Sequence, residues 1–310
     1  MFISQLKSKI KAYDPYGEHH TNALKALLVL EILFLFNFIY TIPDAYFYYF
    51  YVPLTAFAAE ISGNTLQEKY LFLFFTLMGS TIAIFLFGLL SEYKLFFIFF
   101  VFFFSIIIYY IAIRKVKSMF VAAPLILSLA AYSLIYGDTN SNFYIALNHA
   151  FYTIIATILI FIGLYFFPKR YYFAIWRRAF CEVLETLASI SEKIYKQEIN
   201  TIPIFSGIIV MERYSHMLSR RMKYYSILKI TLLTFDLIMA MSYACSFRKQ
   251  IHLHYFILVQ KQLTKLAEAC RNKHPIPMTS RDLEMLQHTN MLRTVRALIL
   301  SWNHLCHNAS

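Results

Sequence analysis

Long apolar runs alternate with short polar connections over the first half of the chain, at roughly Ala23–Ile42, Ala45–Ala59, Leu71–Leu90, Leu95–Ile113, Met119–Tyr136 and Ile145–Phe167. A bilayer's hydrocarbon core is about 30 Å thick, so a spanning helix needs about 20 mostly apolar residues. Five of the runs reach or approach that length; the second is short and carries Pro53. After Pro168 the pattern becomes amphipathic. Tyr171–Lys196 sets Ile175, Phe180, Val183, Leu184, Leu187 and Ile194 at helical spacing with charges between them. A break at Asn200 to Pro203 is followed by helical patterns at Ile204–Leu228, Ile230–Arg248 and His252–Arg271. Pro275 and Pro277 mark a linker, and Asp282–His304 reads as one last helix capped by Ser280 or Thr279. No strand alternation stands out. Ile230–Cys245 is apolar around Asp236 for about 16 residues, short for a span, and predicts a buried bundle helix with a seventh span as the alternative.

The expected fold is therefore all-α and polytopic: a cytoplasmic segment over 1–22, six transmembrane helices over 23–168, and a basic cytoplasmic helical bundle over 169–310. Composition sharpens this. Hydrophobic residues make up 59% of the chain and charged residues 15%, too apolar for a soluble protein of this length. Met1–Pro168 holds nine Lys/Arg against eight Asp/Glu, whereas Lys169–Ser310 holds twenty against nine. The flanking positives fall on alternate connections: Lys7, Lys9, Lys11 and Lys25; Lys69; Arg114, Lys115 and Lys117; Lys169, Arg170, Arg177 and Arg178. The other connections hold Lys94 alone. By the positive-inside rule both termini are cytoplasmic and the first run is retained as a span. Cys181, Cys245, Cys270 and Cys306 fall in the cytoplasmic half without CxxC spacing and are expected as buried thiols.

The six spans divide into two sets of three. Span three carries Thr76, Gly79 and Ser80; span six carries Thr153, Ala156 and Thr157 at the same spacing. Small residues at this spacing let helices approach closely. Pro53 and Pro124 interrupt the middle span of each set. Three spans per set makes the second copy inverted, and inverted sets with broken helices point to a transport site near the midplane.

Few ionisable groups lie within the runs. Glu31 is a candidate proton carrier, or else a structural carboxyl near the interface. Asn37, six residues on, can line the same cavity or tie two helices. His149 stands one turn before Thr153 on the same face, suited to binding an anion or relaying a proton, or to an interfacial hydrogen bond. Lys25 at the end of span one can snorkel. Tyr40, Tyr46, Tyr48, Tyr49 and Tyr51 read as an aromatic belt. Arg213, Arg220, Arg221 and Lys223 form a basic cluster for lipid headgroups or anionic solutes. His252 and His254 are on different helix faces, unsuited to a zinc site. No Walker A, GxSxG, HExxH or GxGxxG motif occurs, so neither an enzyme, a cofactor nor nucleic-acid binding is expected.

Together the six spans, the Thr-x-x-Gly/Ala-Ser/Thr pattern of spans three and six, and the exit Phe166, Phe167, Pro168, Lys169, Arg170 resemble the FUSC or aromatic acid exporter family, which includes fusaric acid resistance proteins and p-hydroxybenzoate efflux pumps. The resemblance covers about Gly17 to Lys196. Family members often carry an Arg one turn before the Thr; here Phe72 and His149 stand there. It implies ion-gradient-driven export of small aromatic carboxylic acids across the bacterial inner membrane, with a periplasmic adaptor protein as partner and, for a chain with one set of spans, a homodimer. A more distant similarity is to plant aluminium-activated malate channels, which implies an anion channel as the alternative. A membrane-anchored scaffold with a partner-binding tail is the third reading. In the export reading Glu31 is the coupling acid, His149 the anion contact, and Thr76 and Thr153 pack helices.

Overall fold

The computed structural model describes residues 12–42, 66–115, 121–136, 143–196, 198, 206–218, 225–246 and 254–309. Among them eleven helices follow in order and no strand occurs: α1 Glu18–Ile39, α2 Leu66–Leu90, α3 Lys94–Lys115, α4 Ala122–Tyr136, α5 Phe143–Phe166, α6 Arg170–Tyr195, α7 Ser206–Leu218, α8 Tyr225–Ser246, α9 His254–Asn272, α10 Ser280–Met285 and α11 Asn290–Ala309. The chain divides into two compact units. One is His19–Pro168; the other joins Met1–Glu18 to Lys169–Ser310.

Five described helices are long and apolar enough to cross a membrane: α1, α2, α3, α5 and α8. For α8 the sequence leaves a buried bundle helix with a seventh span as the alternative, and its length admits either. The helix starts at Tyr225, five residues before the apolar run, and its 22 residues suffice to span. The fifth predicted span is shorter than expected, because α4 has only 15 residues. Pro124 lies in its first turn, where a missing N–H removes no helical bond. It marks a start within the described residues rather than an interruption. The second predicted span and Pro53 lie outside the described residues.

In the unit His19–Pro168, α2 is central. Half of its most apolar window is buried, against 11% for α3, whose Phe96, Phe99, Phe102 and Phe103 face outward. Small residues set the helix spacing. A Cβ on Gly79 would lie 2.6 Å from Ile126 Cδ1 of α4, and one on Gly88 would lie 2.0 Å from Ala146 Cβ of α5. Gly163 of α5 meets Val29 and Ile32 of α1 in the same way. Phe87 is ringed edge-on by Phe97, Phe100 and Phe104, which fastens α3. Hydroxyls within this apolar setting bond back to their own helices: Ser80 Oγ donates to Thr76 O at 2.7 Å and Ser105 Oγ to Val101 O at 2.6 Å.

In the other unit, α6 buries one stripe, including Ile175, Trp176, Ala179, Phe180, Val183 and Leu187, as its 3.6-residue period requires. Phe173, Trp176 and Phe180 stack along it, and Phe180 meets Trp302 of α11. Each such pair contributes about 0.5–1.5 kcal/mol beyond area burial. Trp176 Nε1 donates to Thr231 Oγ1 at 3.1 Å, tying α6 to α8. The residues before α1 belong here too: Arg178 donates to Tyr16 O at 3.0 Å, the Tyr16 and Ser206 hydroxyls lie 3.3 Å apart, and Arg213 pairs with Glu18 at 3.4 Å. Of the predicted basic cluster, Arg213 is the described member. The predicted single helix Asp282–His304 is two. Thr279 and Asp282 form a capping box for α10, and Thr289 Oγ1 accepts from Leu292 N to open α11. Asn303 exchanges two hydrogen bonds with the Ile276 backbone, fixing the proline linker onto α11.

Candidate functional site

α2 and α5 run antiparallel. Tyr70 and Phe74 meet Phe161, while further along α2 Phe85 meets Phe143 and Gly88 meets Ala146. The buried face of α5 includes Ala146, His149, Thr153, Ala156, Thr157 and Gly163. Small residues admit the neighbouring helices, and a polar file occupies the same face at four-residue spacing. Thr157 Oγ1 donates to Thr153 O and Thr153 Oγ1 to His149 O, both at 2.7 Å. His149, only 2% exposed, holds Ser133 Oγ of α4 at 2.8 Å from its Nδ1. Each Thr hydroxyl thus donates its proton to its own helix.

This file reaches a groove of about 450 Å³ lined by Phe74, Met78, Ile154, Phe161, Tyr165 and Phe166, with Thr157 supplying a hydroxyl. The groove is open on the outer face of α2 and α5, where Phe74, Tyr165 and Phe166 are exposed. Thr157 to His149 is eight residues, or about 12 Å along the helix.

Two lysines are buried in the same unit. Lys25 is 4% exposed and Lys69 7%. Lys25 Nζ donates to Asn22 Oδ1 at 3.3 Å and lies 5.8 Å over the Phe167 ring. Its ammonium turns back one helical turn towards the start of α1. Lys25 lies on the inward stripe of α1 with Thr21, Val29 and Leu33. Lys69 precedes Tyr70, which meets Phe161, so its backbone lies at the Phe161 end of α5. A buried ammonium is costly unless dipoles or anions face it.

The other candidates lie apart. Glu31 is on the exposed face of α1, beside a hollow of about 550 Å³ bordered by Leu30, Phe34 and Leu35. No hydrogen bond or ion pair joins it to another described residue. Asn37 Oδ1 accepts from Ile42 N at 3.0 Å, a local bond at the end of α1. Thr76 is fully buried, and its hydroxyl finds no partner among the described residues, which costs about 1–3 kcal/mol in a dry setting. Sequence reasoning missed Ser133 and the inward turn of Lys25 and Lys69. The spacing of Ile126, Ala130 and Ser133, all buried, carries the signal for the first, since it puts the serine on α4's packed face.

No family model, no curated protein and no solved structure matches this chain.

Proposed function

We propose that the chain is a membrane transporter that exports small aromatic carboxylic acids across a bacterial inner membrane, driven by an ion gradient. The observation that carries this reading is the polar file His149–Thr153–Thr157, which leads from the buried Ser133–His149 pair to the aromatic groove. An aromatic acid is the solute whose two ends match it. Its ring stacks in the groove, and its carboxylate is drawn by Lys25 and Lys69 at one end and by His149, when protonated, at the other. A proton arriving at His149 turns it into an anion site, and loss of that proton releases the anion. That cycle couples flux to the proton gradient without needing Glu31 in the path.

The antiparallel pairing of α2 with α5 supports two inverted sets of three spans, since these are the matched third helices of each set. We assign six spans to residues 23–168 on that basis, with both termini cytoplasmic, a homodimer as the working assembly and a periplasmic adaptor protein as partner.

The test is proton-driven uptake of 4-hydroxybenzoate into proteoliposomes holding the full chain. His149→Ala is expected to reduce the flux at least about tenfold, and Glu31→Gln to leave it within about twofold. Unchanged flux in His149→Ala would overturn the reading. Single-channel currents in a planar bilayer would instead identify a passive anion channel.

A further inference from the structure

In the unit that holds the tail, α6 and α9 pack antiparallel. Gln260 Nε2 donates to Glu192 at one end of the pair, and Arg177 donates to the Cys270 and Arg271 carbonyls, both at 3.0 Å, at the other. Between these anchors the two helices present a cysteine each. Cys181 Sγ of α6 lies 3.4 Å from Ala267 O of α9, and Cys270 Sγ of α9 lies 3.7 Å from Arg177 O of α6. Each sulfur thus reaches the partner helix one turn before the partner cysteine, which sets the two thiols side by side across the α6–α9 contact. The fold therefore brings together two thiols that are 89 positions apart in the sequence.

Their surroundings differ. Cys181 is partly open to solvent, whereas Cys270 is buried. Around Cys181 stand Cys270 and Arg271 from α9, and Glu185 from its own helix, which accepts the Arg271 guanidinium. Around Cys270 stand Cys181, Arg177 and Cys306 of α11. The neighbouring Cys270 is the main influence that holds Cys181 below the ordinary thiol range; burial and Glu185 oppose it and Arg271 assists. Burial pushes Cys270 well above that range. An accessible thiolate beside a shielded thiol is the arrangement of an attacking and a resolving cysteine.

We propose that Cys181 and Cys270 form a reversible dithiol–disulfide site that responds to hydrogen peroxide and cross-links α6 to α9. The Cys181 thiolate attacks one peroxide oxygen, the O–O bond breaks, and hydroxide leaves as the cysteine becomes a sulfenic acid. The Cys270 sulfur then attacks the Cys181 sulfur. An S–S bond forms, the S–O bond breaks, and the Cys270 proton leaves with the hydroxyl as water. Two thiols and one peroxide give one disulfide and two waters, and a small dithiol reductant reverses the change. Cys306 is the competing partner, since it lies within electrostatic reach of Cys270.

The experiment treats the purified full chain in detergent with hydrogen peroxide at neutral pH and maps the disulfides by mass spectrometry without reduction. A Cys181–Cys270 linked peptide pair, lost on adding dithiothreitol and unaffected by Cys306→Ser, is expected. In Cys270→Ser the reaction should stop at a Cys181 sulfenic acid that dimedone captures. Cys181, partly open to solvent, should react with peroxide faster than the buried Cys245. Linkage of Cys270 to Cys306, over-oxidation of Cys181 without any link, or reaction no faster than at Cys245 would each overturn the proposal.

Discussion

Gly88→Ala is the sharpest test of how the spanning unit is packed. The added Cβ would lie 2.0 Å from Ala146 Cβ, whereas carbon atoms in contact rest about 3.5–4.0 Å apart. Ala146 Cβ is rooted on the α5 backbone and has no rotamer to vacate the space, so α2 and α5 must separate by about 1.5–2 Å at this level. Overpacking of this kind costs about 1–3 kcal/mol, and the rigid obstacle argues for the upper end. Gly79→Ala is the control. Its Cβ would meet Ile126 Cδ1 at 2.6 Å, but that methyl ends a flexible side chain and can swing aside, so the cost is expected below about 1 kcal/mol. Ala146→Gly removes the obstacle itself. In Gly88→Ala/Ala146→Gly a coupling of about 1–3 kcal/mol should return, less about 1 kcal/mol for glycine within a helix. The assay is SDS titration of the full chain in mixed micelles, followed by circular dichroism. A Gly79→Ala cost equal to that of Gly88→Ala, or no recovery in the double variant, would refute the antiparallel contact between α2 and α5.

Thr279→Ala removes the hydroxyl that accepts from Asp282 N and should cost about 1 kcal/mol, read as faster amide exchange at Asp282 and Leu283 without loss of the α11 signal. Alkylation of Cys181 should show a pH midpoint below the ordinary 9.0, and Cys270→Ala, which removes the neighbouring thiol, should move it upward, because Cys270 is the largest cause of the shift. The same depression makes the folded state favour the thiolate, so this contribution is present above the unfolded thiol pKa and is lost as pH falls through the folded one; a midpoint indifferent to Cys270 would contradict the pairing. Lys25→Met replaces a buried ammonium by an apolar side chain of similar length and should leave Tm unchanged or raised while cutting flux about tenfold. A Tm fall of several degrees would mean that the ammonium holds helices together instead.

Helix boundaries were most legible where one face alone is apolar. The periodicity from Tyr171 predicted α6 to within a residue at each end, and that from His252 predicted α9 to within two, because only one phase of a 3.6-residue helix buries those stripes. Legibility failed where local polar bonds decide. The Asp282–His304 pattern is continuous, yet Thr289 caps a new helix and Arg293 Nε donates to Gln287 O across the break. A cap of this kind contributes only about 1 kcal/mol. That is enough to stop one helix and start another without disturbing the apolar pattern that a sequence displays.

The spanning helices lose legibility for a deeper reason. In α1, α2 and α5 nearly every position is apolar, so hydrophobicity identifies the span but says little about which side faces protein and which faces lipid. Residue size carries that information instead. Gly79 marks the side of α2 that meets α4 and Gly88 the side that meets α5, as Ala156 and Gly163 mark the packed face of α5. Read by size, α1 turns Thr21, Lys25, Val29 and Leu33 inward and leaves Leu27, Leu30, Glu31 and Phe34 outside. A search for charges in apolar runs ranks Glu31 above Lys25, since the carboxylate stands deeper in the run. Packing reverses the order of interest. Lys25 is buried beside Asn22 and the Phe167 ring, while Glu31 meets no polar group among the described residues. The chemistry of the spanning unit is thus set by which face each charge shares, and the small residues that decide this are the least conspicuous in the sequence.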